Sequence, residues 1–346
     1  MSHNSHFSGK LTPELVLVAG RSHPELATAV AENLGINCLN TTIYDFANGE
    51  LYVHYKESVR GCDVFVLQTH TDPMNKNIME QLIMIDALKR ASAKSINVIC
   101  PFLGYSRQDK KHYGREPISA RLIFDLFTAA GATRIMSIDL HSAQLQGFFN
   151  GPVDHLYGMP ILTEYIRRRV DLENVVVVSP DAGRIRVAEQ WAERFNNAPL
   201  AFIHKTRDIS QPNVVKHGRV VGDVAGKECV ITDDLIDTGG TIVGAVKALY
   251  ENGAKSVIVA ATHGILSDPA RERLMNSGVT EVVVTDTLPI SQEKRFEQLT
   301  ILSVAPLLAQ AARAVFESGS VTSLLNAHDV DVQNVIKSAL KDLPGW

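Results

Sequence analysis

The sequence has few cysteines and no long apolar run. The four cysteines are Cys38, Cys62, Cys100 and Cys229. They lie far apart without a CxxC pair, which argues against a disulfide framework and the common zinc motifs. No apolar run reaches the roughly 18 residues of a membrane helix, and the amino terminus lacks a signal-peptide core. We therefore expect a reduced, cytoplasmic chain with no membrane partner.

An excess of positive charge is also lacking. The net charge is -4 at pH 7, which gives no sign of nucleic-acid binding, although local basic clusters can still bind small anions. Hydrophobic residues make up 45% and charged residues 21% of the chain, as in ordinary globular proteins. A chain of 346 residues is long for one domain, so two domains are expected. Residues 1–13 are polar and predict a disordered tail.

Short apolar runs alternate with amphipathic stretches along the chain. Strands are predicted at 14–20, 62–70, 95–102, 134–141, 174–180, 200–205, 229–234, 256–263 and 281–287. Helices are predicted at 24–34, 77–93, 117–131, 184–195, 241–252 and 268–276. Continuous Val/Ile runs separated by helices are typical of parallel sheets covered on both faces. The fold class is therefore α/β, with mainly parallel sheets flanked by helices.

A weak internal repeat divides the chain. "AKSINVICPF" (93–102) is similar to "AKSVIVAATH" (254–263), and each is followed by a helix and a strand that ends at an aspartate. Two related α/β halves explain this pattern, and chance similarity between strand-rich segments is the alternative. We expect a first domain over 14–156, a second over 157–318, and a carboxyl-terminal extension over 319–346.

The stretch "CVITDDLIDTGGTIVGAV" (229–246) carries the strongest chemical signal. Asp233 and Asp234 follow an apolar strand, and ligands of open α/β sheets bind beyond the carboxyl ends of the strands. Asp237 and the segment 238–241 then open a helix, whose free N–H groups can hold a phosphate. Carboxylates accept bonds from sugar hydroxyls, so the combination indicates a phosphorylated sugar. The alternative is an ordinary loop with Asp237 or Thr238 as helix cap.

This stretch resembles the phosphoribosyl-diphosphate binding loop, a motif that alone also fits a phosphoribosyltransferase. Three further segments favour the ribose-phosphate diphosphokinase (phosphoribosyl-diphosphate synthetase) family, with class I features. "SRQDKKHYGREPISARL" (106–122) resembles its flexible catalytic loop, "DLHSAQLQGFF" (139–149) its metal-site signature, and "VVSPDAG" (177–183) its acidic loop. The resemblance runs in order from about residue 14 to 318.

The resemblance implies two phosphoribosyltransferase-like domains and a defined reaction. The β,γ-diphosphoryl group of ATP passes to the C1 hydroxyl of ribose 5-phosphate, which gives 5-phosphoribosyl 1-diphosphate and AMP. The product supplies nucleotide, histidine and tryptophan precursors. Mg²⁺ is the implied cofactor. A homohexamer built from dimers is the implied assembly, with phosphate and ADP as possible allosteric effectors.

The resemblance also implies site residues. Those expected to bind ribose 5-phosphate are Asp233, Asp234, Asp237, Thr238, Gly239, Gly240 and Thr241. Those expected to bind ATP are Phe46, Asn48, Gly49, Glu50, Arg107, Gln108, Asp109 and His141, of which the first four are supplied to a neighbouring subunit. The metal residues are His141 and Asp181. The catalytic residues are Lys205 and Arg207, two cations that point the same way on an extended segment and can meet a diphosphate together.

One residue departs from the family pattern. Arg184 follows the acidic loop where relatives often place a second glycine or another small residue. The extra cation is expected to sit close to the metal or the phosphates. Two other functions remain open at this point: a non-catalytic regulatory relative, and a phosphoribosyltransferase.

Overall fold

The first half of the chain builds a five-stranded parallel sheet in the order β1-β4-β5-β6-β7. The computed structural model describes residues 14–204, 219–325 and 330–343. The sheet strands are β1 (Leu15–Ala19), β4 (Asp63–Leu67), β5 (Ser95–Cys100), β6 (Arg134–Ile138) and β7 (Val153–Leu156). A separate antiparallel hairpin consists of β2 (Thr41–Asp45) and β3 (Leu51–Tyr55).

Helices cover this sheet because its strands are apolar on both faces. They are α1 (Pro24–Leu34), α2 (Met74–Arg90) and α3 (Ser119–Ala130). Phe65 and Val98 in the central strands are fully buried. In α1 a proline occupies the first turn and Gly35, in the left-handed conformation at φ 73°, ends the helix.

The second half builds a seven-stranded sheet in the order β10-β9-β8-β11-β12-β13-β14. Only β10 is antiparallel to its neighbour among the described strands of this sheet. The strands are β8 (Val175–Ser179), β9 (Leu200–His204), β10 (Arg219–Val221), β11 (Glu228–Ile236), β12 (Ser256–Gly264), β13 (Glu281–Thr285) and β14 (Leu299–Leu302). Its helices are α5 (Ile185–Arg194), α6 (Gly240–Glu251) and α7 (Ala270–Met275).

The predicted repeat is confirmed by the strand register. Strands 1-4-5-6-7 of the first sheet correspond in order to strands 8-11-12-13-14 of the second. Asp63 faces Ser95 in the first sheet, and Glu228 faces Ser256 at the equivalent pair of the second. The lysine that precedes each serine forms a 2.8 Å ion pair with the same acid, Lys94 with Asp63 and Lys255 with Glu228.

The two halves exchange helices. Helix α4 (Met159–Arg167) follows β7 but packs against β12 and β13 of the other half, whereas α8 (Ala305–Phe316) follows β14 and packs against α1. Helix α9 (Val330–Leu340) covers both exchanged helices. One apolar cluster therefore runs between the sheets and includes Leu26, Leu162 and Leu308. No helix within the described ranges is long and apolar enough to cross a bilayer.

The expected α/β fold with two similar halves is confirmed, while several strand boundaries differ from those predicted. The strand predicted at 229–234 continues to Ile236, so Asp233 and Asp234 lie within the strand and not at its end. Backbone pairing with β12 keeps this polar end extended, because Leu235 and Ile236 still face His263 and Gly264. Sequence analysis also missed the hairpin β2–β3, strands β7, β10 and β14, and helices α4, α8 and α9.

Candidate active site

A cleft opens where the strand order of the second sheet reverses. The chain leaves β8 for β9 on one side, while β11 lies on the other side. Ligands of open α/β sheets bind at this kind of switch point. The cleft has a volume of about 720 Å³ and is completed by residues that follow β5 and β6 of the first half, including Arg107 and His141. Both halves therefore contribute to one site.

The acid pair forms the floor of this cleft. Pairing between β11 and β8 ends at Ile231, so Asp233 and Asp234 lie where β8 no longer covers the strand. The backbone N–H of Asp234 donates to Oδ1 of Asp233 at 2.8 Å. Asp234 also accepts a 2.7 Å hydrogen bond from Nδ1 of His141. The two carboxyl groups are mostly buried, with side chains 17% and 8% exposed.

Burial and mutual repulsion separate the pKa values of these two carboxyl groups. Burial, followed by the negative charge of Asp234, raises the pKa of Asp233. Burial also opposes ionisation of Asp234, but the hydrogen bond from His141 and the charge of Arg184 lower its pKa below the ordinary value. Asp234 is therefore the ionised member of the pair, and Asp233 holds its proton more tightly. Together they present hydrogen-bond acceptors to the cleft.

The helix start beside the acids is built without a side-chain cap. The N-cap of α6 is Gly239, so the alternative expectation of Asp237 or Thr238 as cap was wrong. Gly239 adopts φ 72°, which a residue with a side chain rarely adopts. The carbonyl of Thr238 is held by Nη1 of Arg273 at 3.0 Å. The first N–H groups of α6 remain directed at the cleft, where they can hold a phosphate.

Residues that follow β5 form the opposite wall. Nη1 of Arg107 lies 3.1 Å from Oδ2 of Asp237, which ties the first half to the loop after β11. Asp109 accepts a 2.7 Å bond from Oγ of Ser142, beside His141. Gln108 turns away from the cleft and accepts from Ser119 at 2.6 Å. Residues 109–116 form neither helix nor strand, and Tyr113 is 78% exposed, as expected for a lid.

The predicted metal residues line the same cleft. Among the described residues no group of three or more His, Cys, Asp or Glu side chains is arranged to hold a metal. Mg²⁺ commonly takes one or two protein carboxylates and completes its shell with water and substrate phosphates. Asp181 has a carboxylate in this cleft, and its Oδ1 accepts a 2.9 Å bond from N–H of Gly183. Nδ1 of His141 is bonded to Asp234, so only Nε2 of this ring could contact a metal.

The other predicted residues fall into two groups, one outside the described part of the chain and one at the β2–β3 hairpin. Lys205 and Arg207 lie outside the described residues, directly after β9. The turn of the β2–β3 hairpin holds Phe46, Asn48, Gly49 and Glu50. None of the four lines the described cleft.

The hairpin turn presents an aromatic surface. Phe46 is 45% exposed and its ring lies 5.3 Å from that of Tyr44, which stacks on Tyr52 at 4.7 Å. Gly49 closes the turn at φ 89°, and N–H of Glu50 is held by Oδ1 of Asn48. This arrangement suits contact with a planar group or another chain rather than with its own cleft.

The structure adds Arg184 to the site. Nη2 of Arg184 lies 2.8 Å from Oδ2 of Asp234, and Nε lies 3.6 Å from Oδ1 of Asp233. Sequence analysis placed this cation near the metal or the phosphates, whereas its partners in the structure are Asp233 and Asp234. The sequence did mark this residue, because an arginine stands where relatives often have a small residue. Its ion-pair partners could not be identified, because they depend on the register of β8 and β11.

A second cleft of about 1010 Å³ lies at the equivalent position of the first sheet. The register places Arg21 where Asp181 stands, and Gln68 and Thr69 where the acid pair stands. Arg21 binds the buried Glu80 at 2.8 Å, and Gln68 accepts from Oγ of Ser22 at 2.6 Å. The second cleft therefore lacks the acid pair that lies on the floor of the first, because Gln68 and Thr69 at these positions are fully buried.

The fold and the cleft define a phosphoribosyltransferase-type α/β protein, and comparisons specify the family. Residues 15–131 match the N-terminal domain of ribose phosphate pyrophosphokinase, and residues 211–326 match the phosphoribosyl synthetase-associated domain. The chain belongs to the ribose-phosphate pyrophosphokinase family, and it is a ribose-phosphate diphosphokinase.

Similar proteins support this assignment over nearly the whole chain. The ribose-phosphate pyrophosphokinase of Bifidobacterium longum is 68% identical over 322 residues, 92% of this chain and 95% of that protein. The enzyme of Corynebacterium efficiens is 62% identical over 90% of this chain and 95% of its own. A crystal structure of phosphoribosylpyrophosphate synthetase from Mycobacterium smegmatis is 61% identical, covers 88% of this chain and 100% of that one, and superposes with a TM-score of 0.84.

Proposed function

We propose that the described cleft is where this chain joins ATP to ribose 5-phosphate, with the sugar on β11 and α6 and the nucleotide on the loops after β5 and β6. One observation carries this: a buried acid pair and an uncapped helix start stand side by side. The acids accept from the sugar hydroxyls, and the segment 237–241 holds the 5-phosphate. This fixes the sugar at both ends and directs its C1 hydroxyl toward the opposite wall.

The nucleotide is proposed to bind along the wall formed by Arg107, Asp109 and His141, whereas Gln108 would have to leave Ser119 to join them. Arg107 gives a planar fork for phosphate oxygens, which a lysine does not. Its 3.1 Å contact with Asp237 bridges the two substrate sites, so arrival of ATP is expected to exchange this partner for phosphate. The exposed segment 109–116 then excludes water, which competes with the sugar hydroxyl for the diphosphoryl group.

Mg²⁺ is the proposed cofactor, held by Asp181 and contacted by His141. When bound, Mg²⁺ would neutralise negative charge on the phosphates during transfer. The chain's own contribution is orientation, because Gly183 fixes Asp181 and Asp234 fixes the imidazole of His141. Lys205 and Arg207 are proposed to stabilise the transferring group as a pair of cations.

Assembly and regulation complete the proposal. The exposed aromatic turn at Phe46 supports contribution of residues 46–50 to the ATP site of a neighbouring subunit. The proposed assembly is a homohexamer built from dimers. Phosphate and ADP are the proposed effectors. We assign a first domain to 14–156, a second to 157–318 and an extension to 319–346. The four free cysteines support a cytoplasmic location.

Phosphorus NMR of the purified protein with ATP, ribose 5-phosphate and Mg²⁺ tests the reaction. AMP and a sugar diphosphate are expected in equal amounts. Intact ATP with folded protein and added inorganic phosphate would favour a non-catalytic relative. Release of AMP without sugar diphosphate would show that water, not the sugar, is the acceptor.

The double variant Asp233→Asn with Asp234→Asn tests the sugar site. We expect KM for ribose 5-phosphate to rise about tenfold or more, because the change removes the charge of Asp234 and a hydrogen bond to a charged acceptor is worth roughly 1.5 kcal/mol. The KM for ATP should change little, because ATP contacts other residues. Initial rates at varied sugar concentration measure the effect. Glu251→Gln at the far end of α6 is the control, and an unchanged sugar KM in the double variant contradicts the acceptor role.

A further inference from the structure

Arg184 occupies the acceptors that the sugar is proposed to use. Its guanidinium lies 2.8 Å from Oδ2 of Asp234 and 3.6 Å from Oδ1 of Asp233. Its side chain is 19% exposed, so the ion pairs are largely removed from water. The inference below rests on the proposed sugar-binding role of these two acids.

The Asp234 oxygen in this cluster is already saturated. Oδ2 of Asp234 lies 2.7 Å from Nδ1 of His141 and 2.8 Å from Nη2 of Arg184. A carboxylate oxygen offers about two lone-pair sites, and these two contacts use both. A sugar hydroxyl can reach this oxygen only after one of the two partners leaves.

The three groups also conflict with one another. Nη2 of Arg184 lies 3.1 Å from Nδ1 of His141. A guanidinium has donors and no acceptor, so this contact is a hydrogen bond only if Nδ1 carries no proton. The bond from His141 to Asp234 needs a proton on the same nitrogen. One contact of the three is therefore always unsatisfied, which lowers the cost of moving Arg184 away.

We propose that Arg184 is a displaceable counter-ion. It neutralises the acid pair in the ligand-free protein, leaves when the ribose hydroxyls bind, and then pairs with the diphosphoryl group of ATP. The cleft brings phosphates within its range, because Arg107, Lys110 and the start of α6 line the same space. A guanidinium fits two phosphate oxygens at once and keeps its charge in both positions.

The variant Arg184→Met tests both steps, because methionine keeps much of the side-chain bulk and removes the charge. Calorimetric titration of ATP-free protein with ribose 5-phosphate should show about tenfold tighter binding, because the sugar no longer has to displace the Arg184 guanidinium from the acids. In turnover with ATP, kcat should fall by about tenfold or more, because the diphosphoryl group loses a cation. Arg184→Lys should recover part of kcat, since it restores a point charge.

Arg60→Met is the matched control. Arg60 is exposed and lies outside both clefts, so this change removes the same charge without touching the acids or the substrate cleft. Both parameters should stay within about twofold of wild type, as is usual for exposed charges. An equal effect of the two variants would assign the result to overall charge and overturn the proposal.

The outcomes separate the steps. Folded Arg184→Met protein that binds the sugar equally or more weakly overturns displacement, and an unchanged kcat overturns the contact with the diphosphoryl group. Sugar binding that survives the double Asp233→Asn, Asp234→Asn change contradicts the acceptor role itself. Loss of binding in that double variant, with no gain in Arg184→Met, leaves the acceptor role intact and removes only displacement.

Discussion

At the scale of single residues, the repeat places two aspartates in matching environments. Asp139 follows β6 and Asp286 follows β13. Each accepts a backbone N–H from the residue that leads into the exchanged helix, Gly158 at 2.9 Å and Val304 at 2.7 Å. Burial raises the pKa of each to about 6. The sequence predicted a strand ending at an aspartate twice, but burial and backbone partners depend on the other half of the chain.

Asp286→Asn should change the pH dependence of stability. The folded pKa of about 6 lies above the unfolded value of 3.8, so the folded protein binds more protons between these values. The stabilisation from Asp286 is complete below about pH 4 and is lost as pH rises through about 6. Denaturant unfolding from pH 4.5 to 6.5 should show that wild type loses roughly 2 kcal/mol relative to Asp286→Asn. Parallel pH curves would contradict this, and Asp125→Asn, at an exposed side chain, is the control.

At the scale of elements, β11 and α6 form one continuous strand–loop–helix unit. The helix start at 238–241 could be predicted from residue types, because the glycines interrupt the apolar pattern where α6 begins. The continuation of β11 through Asp233 and Asp234 could not be predicted in this way. The residues "TDDLID" favour a turn, and pairing with β12 keeps them extended. The ion-pair partners of Arg184 could not be predicted either, because they lie on a neighbouring strand and are distant in sequence.

Two glycine variants of α6 test this unit. Gly239→Ala forces a side chain onto φ 72°, so it should destabilise the protein by about 1 kcal/mol and raise KM for ribose 5-phosphate severalfold. Gly244→Ala lies in the helix interior with no atom within 4 Å of the new methyl group. It should stabilise the protein by about 0.5–1 kcal/mol with an unchanged KM. Thermal unfolding and initial rates measure both, and equal effects would exclude a special role for the helix start.

At the scale of the whole molecule, the exchanged helices join the halves into one core. The two halves were predicted from the repeat. The exchange was not, because an amphipathic pattern shows that a helix has an apolar face but not which sheet it covers. Helix α8 lies on α1 of the other half, and Arg313 donates to the carbonyls of Asn33 and Leu34.

Leu308→Ala should therefore destabilise both halves together. Leu308 is fully buried in the shared cluster, and large-to-small changes of this kind cost about 2–5 kcal/mol. Unfolding followed by circular dichroism and by tryptophan fluorescence should give one shifted transition for both signals. Leu122→Ala on α3, at a side chain 58% exposed, should have little effect. A second, unshifted transition would show that the halves unfold independently.

The difference in lining residues between the two clefts bears on how many sugar molecules one chain binds. Each cleft takes residues from both halves, so a pair of identical halves would carry two equivalent sites. In this chain the acid pair has no counterpart in the second cleft, because the equivalent Gln68 and Thr69 are fully buried and bonded to Ser22 and to the carbonyl of Thr287. Use of half of the geometrically available sites is usually attributed to communication between subunits, but here it is expected within a single polypeptide. We therefore expect one ribose 5-phosphate to bind per chain.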